Sequence, residues 1–114
     1  MKRAVTLKEN HEFRRLYQRG ASAVGGGMVV YCRKNKLGHN RLGLTASTKL
    51  GHAVVRNRMR RRFRESFRLA QPKMKQGYDV IIVGRGRAVR AEYREMEAAF
   101  EKVCRKLGLW EEQA

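Results

Sequence analysis

The sequence predicts an α+β fold: a single α/β sandwich domain with a mixed sheet of about four strands packed with helices. The expected order is α-β-β-(β)-α-β-α, the bracketed strand being a short extra one around Ala21 to Val24. Three observations lead there. Segments with apolar residues at helical spacing alternate with β-branched and aromatic runs along the chain, and one sheet with helices against it is the economical way to bury both. No internal repeat, low-complexity run or linker interrupts the 114 residues. Hydrophobic content of 42% supplies a core for one domain and excludes a wholly disordered basic tail. The domain is expected to span 1–114, with 1–7 a basic lead-in and 109–114 a tail.

Asn10 is a candidate cap for a helix running to about Arg19. Phe13, Leu16 and Tyr17 stand at i, i+3 and i+4, and Gly20 is the stop. Ala21 to Gly27 reads as loop, with Gly25-Gly26-Gly27 a flexible approach to a strand. Met28 to Arg33 is β-branched and aromatic and predicts a strand, followed by a polar turn around Gly38. Leu42 to Ser47 is a second strand, weakened by Gly43. A loop carrying Lys49 and Gly51 leads into an arginine-rich helix that ends before Pro72. Tyr78 to Val83, the most hydrophobic run, predicts the central strand, and a short link places it beside the arginine helix. A basic turn, Gly84-Arg85-Gly86-Arg87, follows.

The last helix, Ala91 to Leu107, puts Tyr93, Met96, Ala99, Phe100, Val103, Cys104 and Leu107 on one face. Glu92, Glu95 and Glu97 lie early and Lys102, Arg105 and Lys106 late, which complements the helix dipole.

The stretch from Val55 to Arg68 carries the most information about function. Wound at about 100° per residue, it places Val55, Met59, Phe63, Phe67 and Ala70 on one apolar stripe. Asn57, Arg60, Arg61, Arg64 and Arg68 gather opposite, with Glu65 the single acid. A solvated face normally mixes signs. A row of guanidinium groups on an anchored helix suits a polyanion, because the planar fork pairs with phosphate oxygens. The formal net charge of +17 points to nucleic acid as that polyanion.

Other classes find little support. No run approaches the roughly 18 apolar residues of a spanning helix, and the N-terminus lacks a signal-peptide apolar region. No membrane partner and a cytoplasmic location are therefore expected. Cys32 and Cys104 read as small buried thiols, and His11, His39 and His52 have no partner at ligand spacing, so no protein metal site is expected. No carboxylate pair suggests a two-metal nuclease centre, so no residue is assigned as catalytic.

The seventeen residues from Lys49 to Glu65, Lys-Leu-Gly-His-Ala-Val-Val-Arg-Asn-Arg-Met-Arg-Arg-Arg-Phe-Arg-Glu, resemble the signature of the bacterial ribonuclease P protein subunit. In that family a Lys-x-x-Gly-x-Ala-Val-x-Arg-Asn-Arg run opens a basic helix. The Phe13…Tyr17 helix, the Tyr31 strand, the Leu42-Gly43-Leu44 strand and the Tyr78 to Val83 strand follow in the family's order, so the resemblance covers nearly the whole chain. His52 stands where asparagine is frequent, and Tyr17 where phenylalanine is common.

The resemblance implies a ribosomal protein S5 domain 2-like fold and a division of labour. A catalytic RNA hydrolyses the phosphodiester joining the 5′ leader to precursor tRNA, using Mg²⁺ held mainly by RNA, with no organic cofactor and no obligate protein partner. The protein binds that RNA and the leader of the precursor tRNA. Carried over by motif, Lys49, Gly51, Arg56, Asn57, Arg58, Arg60, Arg61, Arg64 and Arg68 form the catalytic-RNA surface, although Arg56 lies by angle beside the apolar stripe. Phe13, Tyr17, Val29 and Tyr31 form the leader cleft, where aromatic faces hold single-stranded RNA without reading its sequence. Read from the residues alone, Phe13, Leu16 and Tyr17 are better explained as core. A ribosomal-type structural RNA-binding protein is the alternative that shares the charge and fold.

Overall fold

The computed structural model describes residues 5–7 and 9–111. Along them run β1 (Val5–Thr6), α1 (Asn10–Arg19), β2 (Ala21–Gly25), β3 (Met28–Lys34), β4 (Arg41–Thr45), α2 (Ala53–Ala70), β5 (Tyr78–Gly84) and α3 (Tyr93–Lys106). The strands form one mixed sheet in the order β1-β4-β5-β3-β2. β1 and β5 run parallel to β4, whereas β3 runs antiparallel to both β5 and β2. Parallel neighbours need a crossover, and α2 is the crossover from β4 to β5. The run Val80-Ile81-Ile82 in β5 is fully buried at the middle of the sheet, as its composition predicts.

The register sorts side chains between two faces. One face carries Met28, Val30 and Cys32 beside Val80 and Ile82, with Leu42 from β4. It packs against Met59, Phe63 and Phe67 of α2 and Met96, Phe100, Val103 and Cys104 of α3. Burial pushes the Cys32 thiol up to about 11 and the Cys104 thiol up to about 12. The predicted apolar stripe of α2 is the buried one from Met59 to Ala70, with Val55 half-buried at its start, and it is joined by Ser66, whose hydroxyl donates to the Arg62 carbonyl at 3.0 Å. Met59 and Phe63 lie against Gly84 at the end of β5, so helix and strand touch as the short link required. The other face is smaller: Leu7 and Leu16 sit on Ile81, with Phe13, Tyr31 and Val83 packed around them.

Five local expectations change. Ala21–Gly25 is the bracketed extra strand, one residue longer than allowed for, rather than loop, because its backbone pairs with Met28–Cys32. Gly26 and Gly27, at φ 52° and 88°, are a crowded hairpin turn rather than a flexible approach, since a Cβ on either would strike Ala99 or Ala88. Asn10 is the first helical residue and Glu9 the cap; the Glu9 amide donates to the Glu12 carboxylate at 3.4 Å. The lead-in contains β1, and Leu7 is buried with its amide on the Leu42 carbonyl; residues 1–4 lie outside the described ones. The supposed tail begins with core: Leu109 and Trp110 are buried, Trp110 bridges to Met74, and Arg105 covers its ring, while 112–114 lie outside the described residues.

Candidate RNA-binding surfaces

α2 presents its cations on the side away from the sheet. Asn57, Arg58, Arg61 and Arg64 are exposed, and Arg60 and Arg68 are half-exposed. Arg58, Arg61 and Arg64 have no ion pair with any described residue. Arg60 donates to the Asn57 side-chain oxygen at 3.2 Å, which steadies both at the start of the row. Arg68 is engaged by Glu65, and the hydrogen bond and charge of that guanidinium hold the Glu65 carboxyl below its ordinary range. Arg68 is thus the most internally committed member of the row.

The entry to α2 departs from a plain polar loop. Thr48–Leu50 is a turn of 3-10 helix capped by the Ser47 hydroxyl, which accepts from the Lys49 amide at 3.2 Å. Lys49 is exposed. Gly51 has φ 145° and a Cβ there would crowd Val55, so an internal contact already demands glycine. Arg56 is half-buried beside the apolar stripe, where its angle placed it, and its buried Nε lacks a hydrogen-bond partner among described residues. The sequence reading passed over Arg62. Its guanidinium donates to the Ala91 carbonyl at 2.7 Å and ties α2 to the approach of α3. Its position at the flank of the stripe was the available signal. Arg58, Arg61, Arg62, Glu65 and Tyr93 line a cavity of about 450 Å³ at that junction.

The second surface lies on the opposite sheet face. Register brings Val29 and Thr45 to either side of Val83, and Tyr31 and Gly43 to either side of Ile81. α1 crosses this face with Leu16 buried beneath it. Phe13 is half-buried on Gly43, where any Cβ would run into its ring. Gly43, read from sequence as a weakness of the strand, is what admits that ring. Tyr17 is 40% exposed and meets Tyr31 edge to face, centroids 4.9 Å apart at 82°. Partial burial raises the Tyr17 hydroxyl pKa, opposed by a hydrogen bond with Thr45. Val29 is only 4% exposed and serves as floor, whereas Val24, paired with it in β2, is 63% exposed. The three predicted residues that leave surface open are therefore Phe13, Tyr17 and Tyr31, and Leu16 alone takes the core role.

Among the described residues no group of His, Cys, Asp and Glu is placed to hold a metal ion, and no helix is long and apolar enough to cross a membrane.

This architecture has close parallels. Residues 1–108 match the family model described as Ribonuclease P. The ribonuclease P protein component of a Thermoanaerobacter species is 38% identical over 109 residues, covering 96% of this chain and 94% of that protein. The corresponding protein of Caldanaerobacter subterraneus subsp. tengcongensis is 40% identical over 107 residues, covering 94% and 92%. Among solved structures, the Staphylococcus aureus RNase P protein superposes with a TM-score of 0.86 at 32% identity, covering 95% of this chain and 99% of that one. The Thermotoga maritima RNase P protein, at 24% identity and a TM-score of 0.81, shares the fold. With the sequence match spanning nearly its whole length and the same fold beneath it, the chain belongs to the ribonuclease P protein component family.

Proposed function

We propose that this chain is the protein subunit of a ribonucleoprotein that removes the 5′ leader of precursor tRNA. Membership of the family places it in an endoribonuclease complex that matures tRNA. In that complex the exposed flank of α2 (Asn57, Arg58, Arg60, Arg61 and Arg64, with Lys49 at its entry) docks on the catalytic RNA. The cleft of Phe13, Tyr17 and Tyr31 over Val29 grips the leader. The observation that carries this reading is the row of Arg58, Arg61 and Arg64, held outward with no acid partner among the described residues by a helix that buries Met59, Phe63, Phe67 and Ala70 on its other side. A charge row of that kind gains most from polyphosphate, by releasing its counterions.

Catalysis belongs to the RNA, and Mg²⁺ is held mainly there. The acids that flank the two surfaces support this assignment, because they are spent on arginines: Glu12 and Asp79 on Arg41, and Glu65 on Arg68. The complex works in the cytoplasm, needs no organic cofactor and no obligate protein partner, and does not meet a membrane.

A ribosomal-type structural protein would share the cationic helix but has no use for an open aromatic cleft on the opposite face of the sheet. Reconstitution with the catalytic RNA at low Mg²⁺ separates the two: stimulated cleavage of precursor tRNA is expected. Absence of stimulation would leave the ribosomal-type role, and cleavage by RNA-free protein would move catalysis onto the chain.

A further inference from the structure

α1 divides its sheet face into two sides. Phe13 and Tyr17 look one way. Glu12 and Arg15 look the other, toward a cavity of about 170 Å³ that the aromatic cleft does not include. Its floor is the next row of the register, Arg33 beside Asp79 beside Arg41, and its rim carries Lys34 and Lys36 from the turn after β3.

The charges here are not balanced. Both acids are committed to one cation: the Arg41 guanidinium lies 2.7 Å from Glu12 and 2.7 Å from Asp79, and its Nε donates to Asp79 at 2.8 Å. Asn35 donates to the same carboxylate at 2.8 Å and accepts from the Leu37 amide at 2.8 Å, so the lysine-bearing turn is braced against the floor. Arg15, Arg33, Lys34 and Lys36 are left with no ion pair to a described residue. Within that group one Arg33 Nη is buried and donates to no described residue. A guanidinium N–H that has lost water and found no acceptor is costly, and an anionic oxygen is its best remedy.

The geometry points to this cavity as a binding site for a phosphate group of an RNA backbone. Arg33 donates from the floor, and Arg15, Lys34 and Lys36 close around the rim. The site rests on the function proposed above only in taking RNA as the polyanion. The phosphate comes from one of two sources: a leader that has passed over α1, or a strand of the catalytic RNA.

The test measures two affinities across a salt series, together with melting temperatures, for the native chain and for Arg33→Gln, Arg33→Lys and Arg15→Gln. One is catalytic RNA for the protein; the other is precursor tRNA, with and without its leader, for the reconstituted holoenzyme. Arg33→Gln is expected to weaken one of them by about tenfold, as loss of a hydrogen bond to a charged group does. It should also lower the salt slope by about one. Arg15→Gln, on the exposed side of α1, weakens the same affinity to a lesser degree. Loss only with leader-bearing precursor assigns the phosphate to the substrate, and loss in catalytic-RNA binding assigns it to the ribozyme; either upholds the site. Unchanged affinities and slopes in Arg33→Gln and Arg15→Gln overturn it. So does a loss in Arg33→Gln that accompanies a lowered melting temperature while Arg15→Gln and Arg33→Lys change nothing. A native chain that binds neither RNA overturns the proposed function together with this site.

Discussion

The ring of Phe13 rests on Gly43 so closely that no side chain fits between them. A residue of α1 is thereby seated directly on the backbone of β4, and the height of α1 above the sheet is set by the absence of one methyl group. Replacing Gly43 by alanine must lift the ring or tilt the helix. We expect Gly43→Ala to destabilise the domain by about 1–3 kcal/mol, the usual cost of overpacking. Leader affinity should fall as well, because Tyr17 moves with the helix. Chemical denaturation and precursor binding measured on the same protein check both, and a neutral substitution would show that the contact is slack.

Tyr31 stands on the sheet and Tyr17 on the helix, yet they form one edge-to-face pair. Stacking on an aromatic platform contributes about 1–3 kcal/mol per base. Tyr31→Ala should therefore weaken precursor binding about fivefold or more, while leaving mature-tRNA and catalytic-RNA binding in place. Competition between precursor and mature tRNA measures this. Equal loss for both would remove the leader from the cleft.

The outward arginines of α2 should govern the salt dependence of catalytic-RNA binding. With about six phosphates neutralised, the slope of log affinity against log salt is on the order of −4 to −5. Replacing Arg60, Arg61 and Arg64 together should flatten it by about two to three. An unaltered slope would put the ribozyme contact elsewhere on the molecule.

Asp79 ties the α1 side of the sheet together. Burial would raise its carboxyl, but hydrogen bonds from Arg41 and Asn35 and the Arg41 charge outweigh it and leave the pKa below the ordinary value. A depressed carboxyl stabilises the fold above its unfolded pKa of about 3.9, and that stabilisation is lost as pH falls through the lower folded value. Stability should thus decline below about pH 4. Asp79→Asn should cost about 1–3 kcal/mol near neutrality and flatten the acid limb. Urea midpoints across pH provide the measurement, and an acid limb identical to that of the native chain would assign the effect to other carboxylates.

Much of this was legible in the linear chain, for reasons that differ by element. The stripe of α2 reads correctly because an eighteen-residue helix repeats its pattern enough times to define a buried side. β5 reads correctly because an unbroken run such as Val80-Ile81-Ile82 has no solvent face to offer. β2 was legible only as an optional strand: Ala21-Ser22-Ala23-Val24-Gly25 has weak strand character and is held by pairing with β3. β1 is two residues long, below the length at which any pattern shows. Trp110 belongs to the core through Met74 and Arg105, partners distant or unremarkable in sequence.

The candidate site divides in the same way. Which arginines line up on α2 follows from helical geometry alone. Whether each is free does not: Arg62 is claimed by Ala91 and Arg68 by Glu65, and only the folded chain brings those partners to them. For the aromatic cleft, the sequence put Phe13, Leu16 and Tyr17 on one side of a helix, a pattern that by itself favours core for all three. The sheet beneath decided it, taking Leu16 onto Ile81, seating Phe13 on Gly43 and leaving Tyr17 at the surface beside Tyr31.

By itself, then, the sequence determined the class of fold, the family and the cationic helix, because each is written in local periodicity or in a contiguous motif. The tertiary structure alone decided which rings stay open, which guanidiniums are already satisfied, and that one buried Arg33 nitrogen has no acceptor among the described residues. Those properties depend on strands and helices that are far apart in the chain, and burial and pairing are defined only once they meet.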